Sequence, residues 1–482
     1  MVLSLSAVMF HGCVEPEPEP EPLSNDAKLS SVSFSIVNNP MLEHTANAVN
    51  AVGYMFASVS EKADLSKLAP TIKCSKGATV KIDGKEYVEG QTYDFSKVAK
   101  IEVTSESGTK STSAKISVTH GDTSIDETVY SFMNDFNVPG VSISIMKGSK
   151  VVYSKGYGFS VKSKEEVCTP DHLFRMASIS KQFCTMCIMS LKEEGKLGLD
   201  DQVFGDKGIL HGLYQNITSY HEGITVRHLL SHSSGLCKGL SDPCFTTSYR
   251  KFKDNTPVPT DTLIQRTLNN RQYPDVASGI TWCGGAAYNY SNIGFCVLHR
   301  IVEVVSGKDY ETYLKEVLAR MGVTDTHIGG YENERRANEC YFYSQDGANG
   351  YDNPLRMIAG AAGIITSTNQ MMKVLAHMDG EDDVPDVFTS ETLKEMYTPY
   401  TYAAQSYNRY GLGWRMNHST MFKGAHYHGG NIAGTATLWV GHTNSGMSGA
   451  MVCNSRAYNS NSNGDIDDNL YIILSKFMNY FN

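Results

Sequence analysis

The chain has 482 residues, of which 41% are hydrophobic and 19% charged, and its formal net charge is -9 at pH 7. At about 150 residues per domain, this length predicts two to three domains with sizeable cores. The negative charge and the lack of any basic cluster disfavour nucleic-acid binding, and 10% aromatic residues exclude a disordered chain. The sequence contains no apolar run of about 18 residues, so that no transmembrane helix is predicted.

Residues 1–13 are predicted to be the remnant of an export signal. Residues 1–10 are almost wholly apolar, as in the hydrophobic region of such a signal. The segment that ends at Cys13 resembles a bacterial lipobox, although His11 is unusual there, and an ordinary cysteine after a ragged start remains the alternative. The resemblance implies that Cys13 is lipidated and anchors an exported protein to a membrane of the cell envelope.

Residues 14–25 are predicted to be a linker, because they contain a strict Glu-Pro repeat over positions 15–22. Proline restricts its own backbone and that of the preceding residue, and the carboxylates repel one another. This composition is typical of a stiff polyproline II spacer. Such a spacer would hold a folded body away from the membrane surface.

Residues 26–120 are predicted to form a small all-β sandwich. Apolar residues alternate with polar ones at 78–82, 100–104 and 113–118, and turn residues separate these segments, which is typical of half-buried antiparallel strands. The region resembles the immunoglobulin-like sandwiches that precede enzyme domains in bacterial surface lipoproteins. It contains no catalytic or metal-binding set, which favours a spacer over a binding module.

Residues 121–482 are predicted to form one large α+β domain. Segments 141–145 and 151–153 are predicted to be strands of a hairpin, and 182–195 a helix that ends at Gly195. Further strands are predicted at 438–440 and 450–452, and a closing helix at 467–482. Strands at both ends of a helical middle indicate an antiparallel sheet backed by helices, together with a helical subdomain.

The first chemical feature is Ser178 followed by Lys181, which share one face at the start of the predicted helix. An amine beside a hydroxyl can accept its proton or lower the cost of forming an alkoxide. The spacing alone is weak, because three other Ser/Lys pairs share it, at 107/110, 144/147 and 248/251. Only Ser178 opens a long amphipathic helix, whose N-terminal dipole would point at the site.

Residues 174–183 closely resemble the active-site helix of the serine β-lactamase and penicillin-binding-protein family. The similarity is to the class C-like branch, which includes D-Ala-D-Ala carboxypeptidases, D-aminopeptidases and esterases. It continues, in the family's order, at 193–201, 229–236, 363–368 and 410–414. These segments span most of residues 121–482, so that the resemblance is specific.

The resemblance implies that Ser178 is the nucleophile and that Tyr290, in the Tyr-x-Asn element at 290–292, handles protons with Lys181. A phenol has a pKa of about 10 in water, and we expect the charge of Lys181 to lower the pKa of Tyr290 enough for a general base. The resemblance also implies that Asn292 donates to a substrate carbonyl and helps to fix Lys181.

The third element of the family, Lys-Thr-Gly, is replaced here by His428-Gly429-Gly430. Histidine titrates near neutrality, and we therefore expect a weaker, pH-dependent grip on a substrate carboxylate by His428. Gly430 suits a close approach of the backbone to the substrate, although a plain turn explains this glycine as well. The backbone N–H of Ser178 and, by alignment to the motif, that of Asn431 are expected to form the oxyanion hole. This departure favours peptidase or esterase activity over efficient β-lactam hydrolysis.

The eleven cysteines do not predict a metal or redox centre. Cys184 and Cys187 fall on the apolar stripe of the predicted helix and are interpreted as core residues. Cys237 and Cys244 are the best local disulfide candidates, without a decision for or against a bond. His228 and His232 lack a third ligand with suitable spacing, so that no metal and no organic cofactor is predicted.

Together these patterns predict a lipid-anchored, cell-envelope serine hydrolase that works through an acyl-enzyme. Its substrate would be an amide or ester: a D-amino-acid-containing peptide, a small ester or a β-lactam. Two alternatives remain, a true class C-type β-lactamase and a catalytically silent penicillin-binding-like envelope protein.

Overall fold

The computed structural model describes residues 22–121, 123–236, 241–269, 288–345, 347, 349–381, 383–402, 409–416, 421–457 and 460–482. The predicted signal with Cys13, most of the Glu-Pro linker, and Cys237 lie outside the described residues. None of the helices in these ranges has the length and apolar character needed to cross a membrane.

The N-terminal region consists of strands and one short 3-10 turn at Leu65–Lys67. Two sheets, in the orders β2-β1-β5 and β3-β4-β9-β8-β6-β7, enclose a core of its own. The strands are β1 (Leu29–Phe34), β2 (Ala46–Asn47), β3 (Val49–Ala51), β4 (Tyr54–Val59), β5 (Thr71–Cys74), β6 (Thr79–Ile82), β7 (Lys85–Glu86), β8 (Ala99–Thr104) and β9 (Ser111–His120). The predicted all-β region is confirmed, while its immunoglobulin-like character stays a prediction.

Alternating burial explains why these segments form strands. In β8, Ala99, Ile101 and Val103 point into the core while the residues between them are exposed or half-buried. A hairpin turns at Asp83-Gly84, since β6 pairs with β7 across it. Both turn residues have positive φ, +47° and +80°, as a two-residue hairpin turn requires.

The large domain is built around a nine-stranded antiparallel sheet in the order β12-β11-β10-β22-β21-β20-β19-β18-β17. Its strands are β10 (Gly140–Lys147), β11 (Lys150–Val161), β12 (Glu166–Val167), β17 (Thr401–Tyr402), β18 (Arg409–Tyr410), β19 (Arg415–Met416), β20 (His426–Ile432), β21 (Thr435–Gly441) and β22 (Met447–Cys453). Smaller strands are β13 (Phe174–Arg175), β14 (His327–Ile328), β15 (Tyr343–Ser344), β16 (Ile364–Thr366) and β23 (Ser455–Arg456). The predicted hairpin and C-terminal strands are confirmed.

Helices cover both faces of this sheet, which confirms the predicted α+β architecture. They are α1 (Thr123–Asp135), α2 (Ser180–Glu193), α3 (Ser219–Glu222), α4 (Val226–Leu230), α5 (Thr247–Arg250), α6 (Thr260–Leu268), α7 (Asn292–Ser306), α8 (Tyr310–Ala319), α9 (Ala359–Ala362), α10 (Thr368–Ala376), α11 (Ser390–Met396) and α12 (Ile466–Tyr480). On β21, Leu438 and Val440 pack in the cluster with α1 and α12, whereas Trp439 packs in the cluster with α2 and α7. Burial on both faces explains the continuous apolar sequence of this strand.

Helix α2 is buried on every side, whereas the sequence predicts a single apolar stripe. All residues from Ser180 to Leu191 are buried, including the polar Gln182 and Thr185. The reason is tertiary: α7, α8 and α9 contact α2 within the helical subdomain. The helix ends as predicted before Gly195, whose φ of +69° is typical of a glycine just after a helix.

The N-terminal region shares a buried core with the large domain. The ring of Phe56 on β4 stacks on Tyr130 of α1, with the centroids 5.3 Å apart. Beside them, Asp126 accepts hydrogen bonds from Lys155 at 2.5 Å and from Tyr157 at 2.6 Å. Asp126 and Lys155 are 1% and 8% exposed, so that this ion pair lies inside the protein.

We predict that Asp126→Asn destabilises the protein because it leaves the buried ammonium of Lys155 without a carboxylate. Breaking a buried ion pair costs about 3–5 kcal/mol in free energy of unfolding, which urea unfolding measures. Asp135→Asn, an exposed position on the same helix, is the matched control and should change stability little. Equal effects of the two substitutions would contradict the prediction.

Candidate active site

Ser178 lies at the centre of a short 3-10 turn, Ala177–Ile179, that leads directly into α2. Ala177 has a φ of +48°, a left-handed conformation that is costly for a residue with a Cβ. Two buried hydrogen bonds hold this turn: the Met176 N–H donates to the Ile364 carbonyl at 2.9 Å, and the Thr437 hydroxyl donates to the Met176 carbonyl at 3.1 Å. The turn presents the hydroxyl of Ser178 at the N-terminus of the helix.

Lys181 is the second residue of α2, is fully buried and reaches back to Ser178. Its Nζ lies 3.2 Å from Ser178 Oγ, 2.6 Å from Asn292 Oδ1 and 2.9 Å from the Ala361 carbonyl oxygen. Burial lowers the pKa of Lys181 from 10.5 to about 7, because a charged amine loses its hydration there. At neutral pH a large fraction of the Lys181 side chains is therefore uncharged.

Tyr290 is brought to the same hydroxyl by the segment that precedes α7. Its phenol donates a 2.8 Å hydrogen bond to Ser178 Oγ, and its ring lies 4.8 Å from Lys181 Nζ. Desolvation raises the pKa of Tyr290 above its usual value of 10, so that the expected lowering is wrong. Tyr290 is consequently a protonated donor, and Lys181 is the group able to take the proton of Ser178.

Asn292 is the first residue of α7, and its amide has two partners. The oxygen accepts from Lys181 at 2.6 Å, while Nδ2 donates to Asp242 Oδ2 at 2.5 Å. Its predicted donation to a substrate carbonyl stays a prediction. Asp242 was not singled out from the sequence because it lies in a polar loop without a recognisable motif.

His428 lies on β20, where its ring is a neighbour of the rings of Tyr290 and Tyr410. Nδ1 lies 2.5 Å from the Gly429 carbonyl oxygen, and Nε2 lies 3.1 Å from the Tyr410 hydroxyl. A carbonyl only accepts, so that Nδ1 carries the proton and Nε2 accepts from Tyr410. Burial and the charges of Arg415 and Lys181 hold the pKa of His428 well below 6.5, and the expected titration near neutrality is therefore wrong.

Gly430 lies directly against the backbone of Ser178. A Cβ at this position would be 2.5 Å from the Met176 carbonyl oxygen and 3.0 Å from the Ser178 backbone nitrogen, so that only glycine fits. The next residue, Asn431, donates its side-chain amide to Asp467. The participation of its backbone N–H in an oxyanion hole stays a prediction.

His232 is a further residue of the site, which the sequence analysis considered only as a metal ligand without a third partner. Its ring lies 4.3 Å from the ring of Tyr290, and its Nδ1 accepts the Ser291 N–H at 3.1 Å. Burial holds the pKa of His232 well below 6.5. A neutral imidazole thus supports the backbone that carries Tyr290.

Arg415 on β19 is the second residue that the sequence did not reveal, because no motif surrounds it. Burial lowers the pKa of Arg415, but neighbouring phenols outweigh this effect and raise it above its usual value: those of Tyr288, Tyr471, Tyr410 and Tyr290. None of the ion pairs found in the described part of the chain includes Arg415, and its side chain is partly exposed. It is therefore a cation near the phenol of Tyr290, with unused capacity for an anion.

The buried thiols behave as predicted for core residues. Cys184 and Cys187 are fully buried on α2, and burial raises the pKa of Cys184 to about 12. Cys244 Sγ lies 3.6 Å from Cys296 Sγ, beyond the bond length of about 2.05 Å. The suggested Cys237–Cys244 bond involves a position outside the described residues.

The profile of the Beta-lactamase family matches residues 125–471, and the chain therefore belongs to this family. Protein flp of Staphylococcus aureus strain N315 is 27% identical over 191 residues, which are 39% of this chain and 34% of that protein. The chain thus matches only about a third of the length of this relative.

Two solved structures are similar in fold. A penicillin-binding protein homologue from Pyrococcus abyssi has a TM-score of 0.57 at 25% identity, covering 69% of this chain and 73% of that one. D-amino acid amidase from Ochrobactrum anthropi SV3, complexed with D-phenylalanine, has a TM-score of 0.56 at 21% identity, covering 74% and 99%. The likeness to the amidase shows the fold alone.

Gly430 and Gly429 form a matched pair for testing the wall beside Ser178. We predict that Gly430→Ala lowers the reactivity of Ser178 towards a fluorophosphonate probe by about 100-fold or more, because the methyl group displaces the Ser178 N–H that we expect to face a developing oxyanion. A Cβ at Gly429 would meet nothing closer than the Tyr471 hydroxyl at 3.4 Å, so that Gly429→Ala should react almost normally. Equal rates for both variants would refute this account.

Proposed function

We propose that this protein is a cell-envelope serine hydrolase that forms an acyl-enzyme on Ser178 with amide or ester substrates. The observation that carries the proposal is the convergence of two groups on one oxygen, since Lys181 Nζ and the Tyr290 hydroxyl lie 3.2 and 2.8 Å from Ser178 Oγ. Membership of the Beta-lactamase family supports the same reaction class.

The contacts of Lys181 support its role as the base in acylation. Asn292 Oδ1 and the Ala361 carbonyl oxygen only accept hydrogen bonds. A neutral amine at Lys181 therefore donates its two N–H groups to them. Its lone pair then faces Ser178 and can take the hydroxyl proton as Oγ attacks the substrate carbonyl.

Tyr290 is suited to the complementary step. When the bond to the leaving group breaks, its hydroxyl, which points at Ser178 Oγ, can pass its proton to the departing nitrogen or oxygen. Lys181, protonated in the first step, supplies the proton that restores the phenol. A water molecule then hydrolyses the acyl-enzyme, and Ser178 regains its proton.

Arg415 supports a substrate that carries a carboxylate. It is a partly exposed cation beside Tyr290, and no ion pair of the described residues includes it, whereas His428 is neutral. A guanidinium binds a carboxylate with paired hydrogen bonds. Together with the sequence resemblance to D-Ala-D-Ala carboxypeptidases, this cation leads us to infer that D-amino-acid-containing peptides are the substrate class.

The two other candidate functions are less well supported. A β-lactamase would use the same nucleophile, but His428 stands where that enzyme has a lysine. A catalytically silent protein would have no need of the hydrogen-bonded arrangement of Ser178, Lys181 and Tyr290.

Export and a membrane anchor form the remaining part of the proposal. They rest on the apolar start of the chain, on Cys13 and on the Glu-Pro repeat. A lipid on Cys13 would tether the hydrolase to the cell envelope, and the repeat would hold it off the surface.

Covalent labelling tests the reaction class. We expect the protein to react with a fluorophosphonate probe and Ser178→Ala to abolish the reaction, while Ser190→Ala, a buried serine on the same helix, retains it. Parallel assays with p-nitrophenyl esters, D-alanyl amides and nitrocefin then separate the classes, and rapid turnover of nitrocefin alone would favour a β-lactamase. If no probe labels the wild-type protein, the proposal is refuted.

Substitution of Arg415 tests the substrate class. For a peptide ending in D-Ala-D-Ala, Arg415→Gln should raise KM about 10- to 100-fold, because hydrogen bonds to a charged group contribute about 1.5–3 kcal/mol. Arg415→Lys keeps the charge and should retain part of the binding. The same peptide with an amidated C-terminus is the control, and an equal loss for both peptides would show that Arg415 does not bind the carboxylate.

A further inference from the structure

Asp242 is connected to the catalytic lysine through a single side chain. Its Oδ2 accepts from Asn292 Nδ2 at 2.5 Å, and Asn292 Oδ1 accepts from Lys181 Nζ at 2.6 Å. The other carboxylate oxygen accepts the Cys244 N–H at 2.9 Å. A turn thus holds the carboxylate in place from one side while the amide of Asn292 binds it from the other.

The chemistry of the three groups dictates the orientation of the amide. A carboxylate only accepts hydrogen bonds, so that Asn292 must turn its NH2 group towards Asp242 and its oxygen towards Lys181. Without the carboxylate, the amide could rotate and place its NH2 group against the N–H groups of Lys181. Lys181 would then lose one of the two acceptors that hold its N–H groups and thereby direct its lone pair towards Ser178.

Charge gives Asp242 a second effect on Lys181. The titratable groups that face or influence the amine come from every neighbouring element: Cys184 on α2, Asp242 and Cys244 in the loop, Tyr290 and Cys296 at α7, His232 and His428. Asp242 is the only carboxyl group among these described neighbours. Its negative charge opposes the burial that lowers the pKa of Lys181 to about 7.

We propose that Asp242 is a positioning residue for the reaction, which acts through Asn292 to orient and electrostatically tune the amine of Lys181. The inference rests on the proposed function, because it requires Ser178 to be the nucleophile that Lys181 serves. It assigns a role to a loop residue that contacts neither the nucleophile nor Lys181 directly.

The test is the pH dependence of fluorophosphonate labelling of Ser178 in the full chain, which needs no substrate. In the wild type the rate should rise as pH increases through about 7, because Lys181 acts as a base only after it loses its proton. Asp242→Asn removes the negative charge and lowers the pKa of Lys181 further. The rise should therefore move to lower pH by about half a unit or more, and the plateau should fall about tenfold because the amide loses its orientation.

Three further variants make the test decisive. Asp242→Glu keeps the charge and should keep the wild-type midpoint, whereas Asp242→Ser, a second neutral variant, should shift it as Asp242→Asn does. Asp254→Asn is the matched control, since Asp254 also accepts an N–H two residues ahead, that of Thr256 at 3.0 Å, in an exposed turn. It should leave the pH profile unchanged.

The outcomes separate this inference from the proposed function. If the wild type is not labelled at Ser178, the proposed function fails and the role of Asp242 falls with it. If the wild type is labelled and both neutral variants keep the wild-type midpoint, only the role of Asp242 is refuted. Failure of both neutral variants to fold, judged by thermal melting, would also overturn it, because Asp242 would then serve folding and not the amine.

Discussion

The amine of Lys181 is fully buried, 0% exposed, within the helical subdomain, and the rest of the site is arranged around it. Burial shifts its pKa to about 7, and two carbonyl-type oxygens occupy its N–H groups. An exposed lysine at the same spacing would remain an ammonium and could not take a proton from serine. The surrounding helices therefore do more than support α2: by excluding water from all its sides they convert an ordinary cation into a base.

The sheet provides the second constraint. Strand β21 binds the segment before Ser178 through Thr437, and Gly430 on β20 lies against the Ser178 N–H. These contacts hold Ala177 in its unfavourable conformation and keep the hydroxyl at the start of α2. The N-terminal region packs on the opposite face of the sheet, where Phe56 stacks on Tyr130 of α1 and Ser58 accepts a hydrogen bond from Lys155 of β11. The sandwich is consequently continuous with the structure that carries the nucleophile.

Most of the architecture could be predicted from local patterns. Period-two alternation indicated the strands of the sandwich, and the hairpin and C-terminal strands of the large domain were recognisable from short apolar runs. The predictions that failed concern protonation states, which depend on the surroundings of a side chain. The side chain of Tyr290 is in place but its pKa is raised, and His428 is neutral, because both depend on desolvation by residues far away in the chain. Asp242 and Arg415 lack any motif, so that only proximity reveals them.

The sequence by itself determined the family, the fold class and the identity of Ser178, Lys181 and Tyr290, because motif order and hydrophobic periodicity are properties of the chain. It also carries the features behind the proposed anchor, Cys13 and the Glu-Pro repeat. The tertiary structure alone decided that Lys181 is buried beside Ser178, that Arg415 lies near Tyr290 without an ion pair among the described residues, and that Asp242 accepts a hydrogen bond from Asn292. Protonation and hydrogen-bond direction depend on burial and on partners brought together from separate segments, and no local pattern encodes these.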